Sequence, residues 1–137
     1  MITKREAKER GHVNWKWLNA FYSFSFGSYF DPKWMGFKAL RVINDDFIDE
    51  GYGFPTHPHR NMEIITFIIE GALEHKDVLG NHSIIRPGEI QVMSAGSGIE
   101  HSEYNPNKDQ KTRSLQIWIK PNVMDITPSY QQYKFEA

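Results

Sequence analysis

Residues 51–71, GYGFPTHPHRNMEIITFIIEG, carry the pattern that decides the fold. The segment MEIITFIIE is rich in β-branched residues and long enough for one strand, and Gly71 ends it. Just before this strand, His57 and His59 flank Pro58, which biases the residue before it away from helix. Residues two apart in a strand point to the same face, so an extended segment presents both imidazoles to one side.

The rest of the chain continues as short apolar segments separated by turn residues. The predicted strands are GFKALRVIN (36–44), LEHKDV (73–78), HSIIR (82–86), IQVMS (90–94), IEHSEYN (99–105) and SLQIWIK (114–120). This organisation favours an all-β fold, an antiparallel sandwich or barrel. We predict an acidic loop over residues 45–56, DDFIDEGYGFPT. Residues 121–137 contain two prolines and little apolar periodicity, which indicates an arm or a linker.

The composition limits both the size of the protein and the ligands that it can offer to a metal. With 137 residues, of which 39% are hydrophobic, the chain suits a single domain with one core. The absence of cysteine excludes disulfides and thiolate metal sites. Imidazole and carboxylate remain as the strong ligands, and these suit Fe, Mn, Co, Ni, Cu or Zn.

Charge and hydropathy indicate neither a nucleic-acid-binding nor a membrane protein. The formal net charge of -1 gives no basic surplus for nucleic acid or an anionic membrane. The N-terminal MITKREAKERG is charged and lacks the apolar stretch of a secretory signal. No segment approaches the ~18 continuous apolar residues of a membrane span. We therefore expect a cytoplasmic protein.

A second pair of candidate ligands repeats the spacing of the first. His101 and Glu103 are also two residues apart, so they share a face if their segment is a strand. Two such strands side by side would bring four nitrogen and oxygen donors to one point, with coordination positions left open. A lone histidine pair is more often a surface feature than a metal site, but two matched pairs are a stronger indication. The other histidines, His12, His75 and His82, are interpreted as ordinary surface or strand residues.

The spacing of glycines, histidines and carboxylates resembles the two motifs of the cupin superfamily. Residues that fit the first motif are Gly51, His57, His59 and Glu63, with Gly71 one position late; those that fit the second are Gly88, Gly96, His101 and Asn105. The second motif departs from the pattern in having Ser94 where proline is usual. A fuller resemblance, from FPTHPHRNMEIITFIIEG, LEHKDVLGNHS and SAGSGIEHSEYNP, is to the N-terminal domain of the pirin family, and in particular to bacterial pirin-like quercetin 2,3-dioxygenases.

The resemblance implies a fold and a division of the chain. We expect a cupin-type antiparallel β-barrel, a double-stranded β-helix of jelly-roll type, as a single domain over residues 1–120. Residues 121–137 would then be a C-terminal arm or linker toward a second cupin domain that this chain lacks. A homodimer is a hypothesis that follows, because uncovered sheet edges invite pairing. Light scattering that found a monomer over a wide concentration range would count against it.

The resemblance also implies a ligand set. In pirins the metal is typically iron, held by residues that correspond here to His57, His59, His101 and Glu103. The general cupin pattern instead makes Glu63 the carboxylate ligand. Glu63 lies four residues after His59 and would share its face, so the geometry of a strand leaves both carboxylates open. The pirin resemblance favours Glu103, with Glu63 close enough to orient a ligating imidazole.

Two functions are compatible with this implied site. The first is a metal-dependent dioxygenase, with Fe(II) as the expected metal, that cleaves a flavonol such as quercetin with O₂ and uses Glu103 as the catalytic base. The second is a non-catalytic iron-binding protein with a regulatory or redox-sensing role. A flat aromatic substrate requires an apolar cavity. The candidate lining residues are Phe54, Met62, Trp34 and Met93, each of which could equally be plain core.

Overall fold

A computed structural model describes residues 1–136 and consists of antiparallel β-strands after one short 3₁₀ turn, Ala7–Glu9. The strands are β1 (Gly11–Asn14), β2 (Leu18–Tyr22), β3 (Leu40–Ile48), β4 (Gly53–His59), β5 (Glu63–Glu70), β6 (Leu73–Asp77), β7 (His82–Ile85), β8 (Glu89–Ser94), β9 (Ile99–Tyr104), β10 (Thr112–Ile119) and β11 (Ser129–Lys134). The predicted all-β fold is therefore confirmed. Among residues 1–136, no helix is long and apolar enough to cross a membrane.

The strands form two sheets that enclose the core. Seven strands pair in the order β1-β2-β3-β10-β5-β8-β11, and four pair in the order β4-β9-β6-β7. The main hydrophobic cluster draws on both sheets: Leu18, Ala20, Tyr22, Ile48, Ile68, Leu73 and Ile85. Burial of alternate residues, as in β2 and β9, is what a strand with one face on the core requires. This is the cupin-type barrel that the motifs predict.

The acidic loop predicted over residues 45–56 is wrong at both ends, because β4 already begins at Gly53 and only residues 49–52 lie between strands. β3 continues through Ile48, and the two aspartates within it are buried on opposite faces. The Asp45 carboxylate accepts two hydrogen bonds from the Arg113 guanidinium on β10, both 3.0 Å long. Asp46 faces the interior of the barrel instead. An ion pair to a neighbouring strand offsets the desolvation of Asp45, which a reading of local charge does not anticipate.

The predicted arm contributes an edge strand to the larger sheet. β11 pairs antiparallel with β8 over its whole length, from Ser129 opposite Ser94 to Lys134 opposite Glu89. Its side chains are mostly exposed, but the Tyr130 hydroxyl contacts Ser83 on β7 and so joins the two sheets. The last residue of the arm, Ala137, lies outside the described residues. The division at residue 120 stays a prediction.

The pairing of β4 with β9 brings the two candidate motifs together. His57 lies opposite His101, and Phe54 lies opposite Glu103, with an irregularity in register between the two pairs. The strands approach so closely at Gly53 that a Cβ atom there would collide with the backbone of Glu103 and Tyr104. A residue without a side chain is therefore needed at this point for the two ligand-bearing strands to pair.

Candidate metal centre

Three imidazoles converge on one point where β4 and β9 pair. His101 is buried, whereas His57 and His59 are partly exposed. The ring centroid of His57 lies 4.8 Å from that of His59 and 4.5 Å from that of His101. The nitrogen atoms that could bind a metal all lie within 4.8 Å of one another. The structure therefore brings three of the four predicted ligands, His57, His59 and His101, to one point, because the two strands are extended and adjacent.

The nitrogen atoms of this cluster are available as electron-pair donors. The His57 Nδ1 lies 2.7 Å from the Pro55 carbonyl oxygen, which can only accept a hydrogen bond, so in the neutral ring the proton is on Nδ1 and Nε2 is bare. Burial, followed by repulsion from neighbouring imidazoles, lowers the pKa of both His59 and His101 to about 3. At neutral pH both rings are uncharged, which is the state that binds a metal.

The arrangement fits a divalent transition metal. The Nε2 atoms of His59 and His101 lie 2.9 Å apart. Two nitrogens held to one metal at right angles by bonds of about 2.1 Å would be separated by roughly 3 Å. Three imidazoles are also a donor set that suits first-row transition metals. The spacing and the chemistry of the donors thus agree.

The two candidate carboxylates have different surroundings. Glu103 is buried beside the histidines, and burial raises its pKa, although a hydrogen bond from Gln116 opposes this effect. Glu63 lies on β5, where it accepts a 2.7 Å hydrogen bond from the Ser94 hydroxyl. Among the described residues, the cluster of mutually close donor atoms contains the three histidines and neither carboxylate. Of these two carboxylates, only Glu103 lines the same cavity as His57 and His59.

The orientation of the Glu103 carboxylate is set by a chain of hydrogen bonds along β10. The Trp118 indole N–H donates to Gln116 Oε1 at 3.1 Å. The Gln116 amide N–H₂ then donates to both oxygens of Glu103, at 3.1 and 3.3 Å. The indole can only donate and the carboxylate accepts, so the two ends of the chain agree on the orientation of the amide.

A cavity of about 190 Å³ opens onto the histidines. Its lining combines aromatic and polar side chains with two of the histidines: Tyr22, Phe26, Phe54 and Trp118, then Asn44, Asp46, Glu103 and Gln116, and His57 and His59. Of the candidate lining residues from the sequence, only Phe54 is present. Met93 and Met62 belong to a separate core cluster, and Trp34 lies under the Arg5 guanidinium. Three of the four aromatic residues come from β2, the segment after it and β10, whose proximity only the sheet order reveals, and Phe54 comes from β4.

The cavity lining includes a carboxyl group that sequence reasoning missed. Asp46 is buried on the inner face of β3, next to the inward-facing Asn44. Burial, together with the charges of Glu103 and Asp45, raises the pKa of Asp46 to about 7. The Asn44 side-chain oxygen is buried without a hydrogen-bond partner. The cavity therefore offers polar groups that are not committed to partners within the protein.

His75, interpreted from the sequence as an ordinary residue, is in direct contact with this centre. It is fully buried on β6, and its Nδ1 lies 3.2 Å from the Nδ1 of His101. The other two histidines do match their interpretation. His12 stacks on Phe21 at the surface, and His82 pairs with Glu74 on β6. The pairing of β6 with β9 places His75 behind the cluster, and no motif spacing indicates that pairing.

Fold and site together define an all-β protein of the cupin type, with a histidine cluster suited to a divalent metal. The family model that matches this chain is described as Pirin and covers residues 3–119. The chain belongs to the pirin family.

Relatives agree with this assignment. The chain is 54% identical to quercetin 2,3-dioxygenase of Escherichia coli strain K12 over 137 residues, which is all of this chain and 59% of that protein. It is 53% identical to a putative quercetin 2,3-dioxygenase of Pseudomonas aeruginosa, over 98% of this chain and 58% of the relative. The chain thus spans somewhat more than half the length of the curated relatives that it matches.

A solved structure in the same family contains a metal. The bacterial pirin YhhW from Escherichia coli, in complex with nickel(II), has a TM-score of 0.93 and 54% identity to this chain. The match covers 96% of this chain and 57% of that one. A nickel complex of a close structural relative and the histidine cluster described above both indicate a divalent metal site.

Proposed function

We propose that His57, His59, His101 and Glu103 hold a divalent transition metal, with Fe(II) as the working metal. The convergence of three imidazoles, with low pKa values at His59 and His101, supports the first three ligands. Glu103 is favoured as the fourth because it lines the same cavity and is oriented by Gln116. Glu63 is committed to Ser94 on the neighbouring strand. Mn, Co, Ni, Cu and Zn suit the same donors, and availability decides among them.

The choice of carboxylate can be tested with two matched substitutions. Glu103→Gln is expected to lower the affinity for Ni(II) by at least about tenfold, because it removes the anionic donor while preserving shape. Glu63→Gln should leave that affinity within about twofold. Isothermal titration calorimetry at pH 7 measures both constants. The reverse order of effects would make Glu63 the ligand.

We infer further that the protein is a dioxygenase that acts on a flat, oxygen-bearing aromatic molecule such as a flavonol. The single observation that carries this proposal is the cavity with aromatic walls that opens directly onto the histidine cluster. At about 190 Å³ it is smaller than the ~300–1,000 Å³ of typical sites for drug-sized ligands. Only one ring system would enter, so the oxygen-bearing ring would lie next to the cluster while the rest faced the cavity mouth.

Different residues of the cavity would have different roles in such a reaction. A bound metal supplies a Lewis acid and an electron pathway between substrate and O₂. Tyr22, Phe26 and Trp118 would pack against the faces of the ring and exclude water. Glu103 would accept the proton of a substrate hydroxyl on a carboxylate oxygen that the metal leaves free. Gln116 holds the carboxylate in place for that transfer.

Oxygen consumption tests the enzymatic proposal. Protein loaded anaerobically with Fe(II) is expected to take up O₂ and bleach the long-wavelength absorbance of quercetin. Glu103→Gln should lower the rate at least about 100-fold, as the loss of a general base typically does. A protein that binds iron but takes up no oxygen with any flavonol would instead favour the non-catalytic, regulatory function. A longer, two-domain relative is the control for the requirement of a second domain.

A further inference from the structure

Behind His101, on the side away from the cavity, two residues of β6 with buried side chains form a hydrogen-bonded dyad. The His75 Nδ1 lies 3.2 Å from the Nδ1 of His101, and the His75 Nε2 lies 2.7 Å from Oδ2 of Asp77. Neither the His75 nor the Asp77 side chain is accessible to solvent. A chain of three side chains thus runs from a buried carboxylate to the histidine cluster.

The carboxylate at the end of this chain is held firmly. Asp77 Oδ1 accepts hydrogen bonds from the backbone N–H groups of Leu79 and Asn81, at 2.8 and 3.1 Å. The Asn81 side-chain amide donates to the same carboxylate. These contacts close the β6–β7 turn around Asp77. The Asp77 Oδ2, which also accepts from the Asn81 amide at 2.9 Å, is thereby directed at His75 by the turn itself.

The hydrogen-bonding partners of His75 determine which of its nitrogens carries the proton. Asp77 accepts, so the proton of a neutral His75 is on Nε2 and its Nδ1 is an acceptor. The Gln91 side-chain amide nitrogen lies 3.4 Å from the same Nδ1, which is consistent with a lone pair there. His101 must then donate from its own Nδ1. The His101 Nε2, which lies 2.9 Å from the His59 Nε2, is left bare on the cavity side.

We propose that His75 and Asp77 are positioning residues that fix the tautomer and ring plane of His101, so that its Nε2 points into the metal site. This inference rests on the metal site proposed above. Tyr130 of β11 supports the arrangement, because its ring stacks on that of His75 with centroids 4.4 Å apart. A neutral histidine in water exchanges between tautomers, and a fixed one binds without that cost. Partners behind a ligating imidazole typically change metal affinity by about 10- to 100-fold.

The tautomer can be observed directly in the metal-free protein. In ¹⁵N-histidine-labelled wild-type protein with EDTA, two-bond ¹H–¹⁵N correlation spectra are expected to show His101 protonated at Nδ1 and bare at Nε2. Asp77→Asn should shift or broaden the His75 and His101 signals, since the fixed acceptor is lost. A wild-type spectrum with His101 protonated at Nε2 overturns the proposal. This measurement uses no metal, so it stands even if the metal site itself fails.

Affinity for Ni(II) provides the second readout. We expect His75→Phe, which preserves a ring against Tyr130 but removes the acceptor, to weaken Ni(II) binding about 10- to 100-fold by calorimetry. His75→Asn places an amide oxygen near the position of Nδ1 and should recover part of the loss. The matched control is His82→Phe, because His82 pairs with Glu74 in the same sheet but lies at the surface.

The outcomes separate the two proposals. Equal affinity of wild type, His75→Phe and His82→Phe, with unchanged circular dichroism, overturns the positioning role. Equal losses in His75→Phe and His75→Asn would overturn it as well, because recovery by an acceptor is its signature. Should His75→Phe not fold, Asp77→Asn and the spectra of the wild type decide the matter. Wild-type protein that binds no Ni(II) would contradict the metal site, while the His101 tautomer would still test the dyad.

Discussion

Replacement of His101 by alanine is expected to abolish metal binding, from one Ni(II) per chain to none. His101 is the buried member of the cluster, and its ring lies between His57 and His59 on one side and His75 on the other. Its loss removes one donor and leaves two partly exposed imidazoles, which bind far more weakly than a converging set. We expect the affinity to fall at least about 1,000-fold, or more than 4 kcal/mol in binding free energy.

The measurement is elemental analysis of the dialysed protein, followed by calorimetric titration. His12→Ala is the control, since His12 lies on β1, bonds to Asn19 and has no contact with the cluster. It should retain one Ni(II) per chain. A His101→Ala protein that still bound one Ni(II) with the affinity of the wild type would show that the cluster is not the metal site.

The second large effect concerns stability and its dependence on pH. The pKa of Asp46 is about 7 in the folded protein, against an ordinary value of 3.8. Between these values the folded state holds a proton that the unfolded state has lost, so the free energy of unfolding falls as pH rises through this window. Asp46→Asn removes the ionisation. The free energy of unfolding of the Asp46→Asn protein, measured relative to that of the wild type, is therefore expected to be higher at pH 8 than at pH 4. The expected difference is on the order of 4 kcal/mol.

Urea unfolding of the metal-free protein in EDTA, at several values between pH 4 and pH 9, measures this difference. The stabilisation of Asp46→Asn relative to the wild type should increase between pH 4 and pH 7 and stay constant at higher pH. A gain that does not vary with pH would contradict the raised pKa. Asp45→Asn is the contrasting control, because it breaks the paired contact with Arg113 and should destabilise the protein.

The candidate site was predictable from sequence where it depends on strand geometry. His57 and His59, like His101 and Glu103, share a face because residues two apart in a strand must do so. The cupin motifs also predict that the two pairs lie side by side. In the structure β4 pairs with β9, and His57 lies opposite His101. The choice between Glu103 and Glu63 was not predictable in this way. It depends on contacts with other strands, such as the hydrogen bond from Ser94 on β8 to Glu63 and that from Gln116 on β10 to Glu103.

What could not be predicted depends on contacts between distant strands. Asp45 and Asp46 suggest a solvated loop when considered alone, yet Arg113 is 68 residues from Asp45 in sequence and makes a buried strand position acceptable. His75 is another case, since its contact with His101 follows from the pairing of β6 with β9. Local patterns of charge and hydropathy contain no information on either partner.

β11 extends the folded unit beyond the residues that the family model matches. The family match stops at residue 119, but the strand after it completes the sheet and places Tyr130 against the ring of His75. The connecting residues 122–127 are exposed, so a protease could cut there. The strand would stay paired to β8 as a separate peptide. A version of the chain shortened to residue 119 would instead open one wall behind the metal ligands to water.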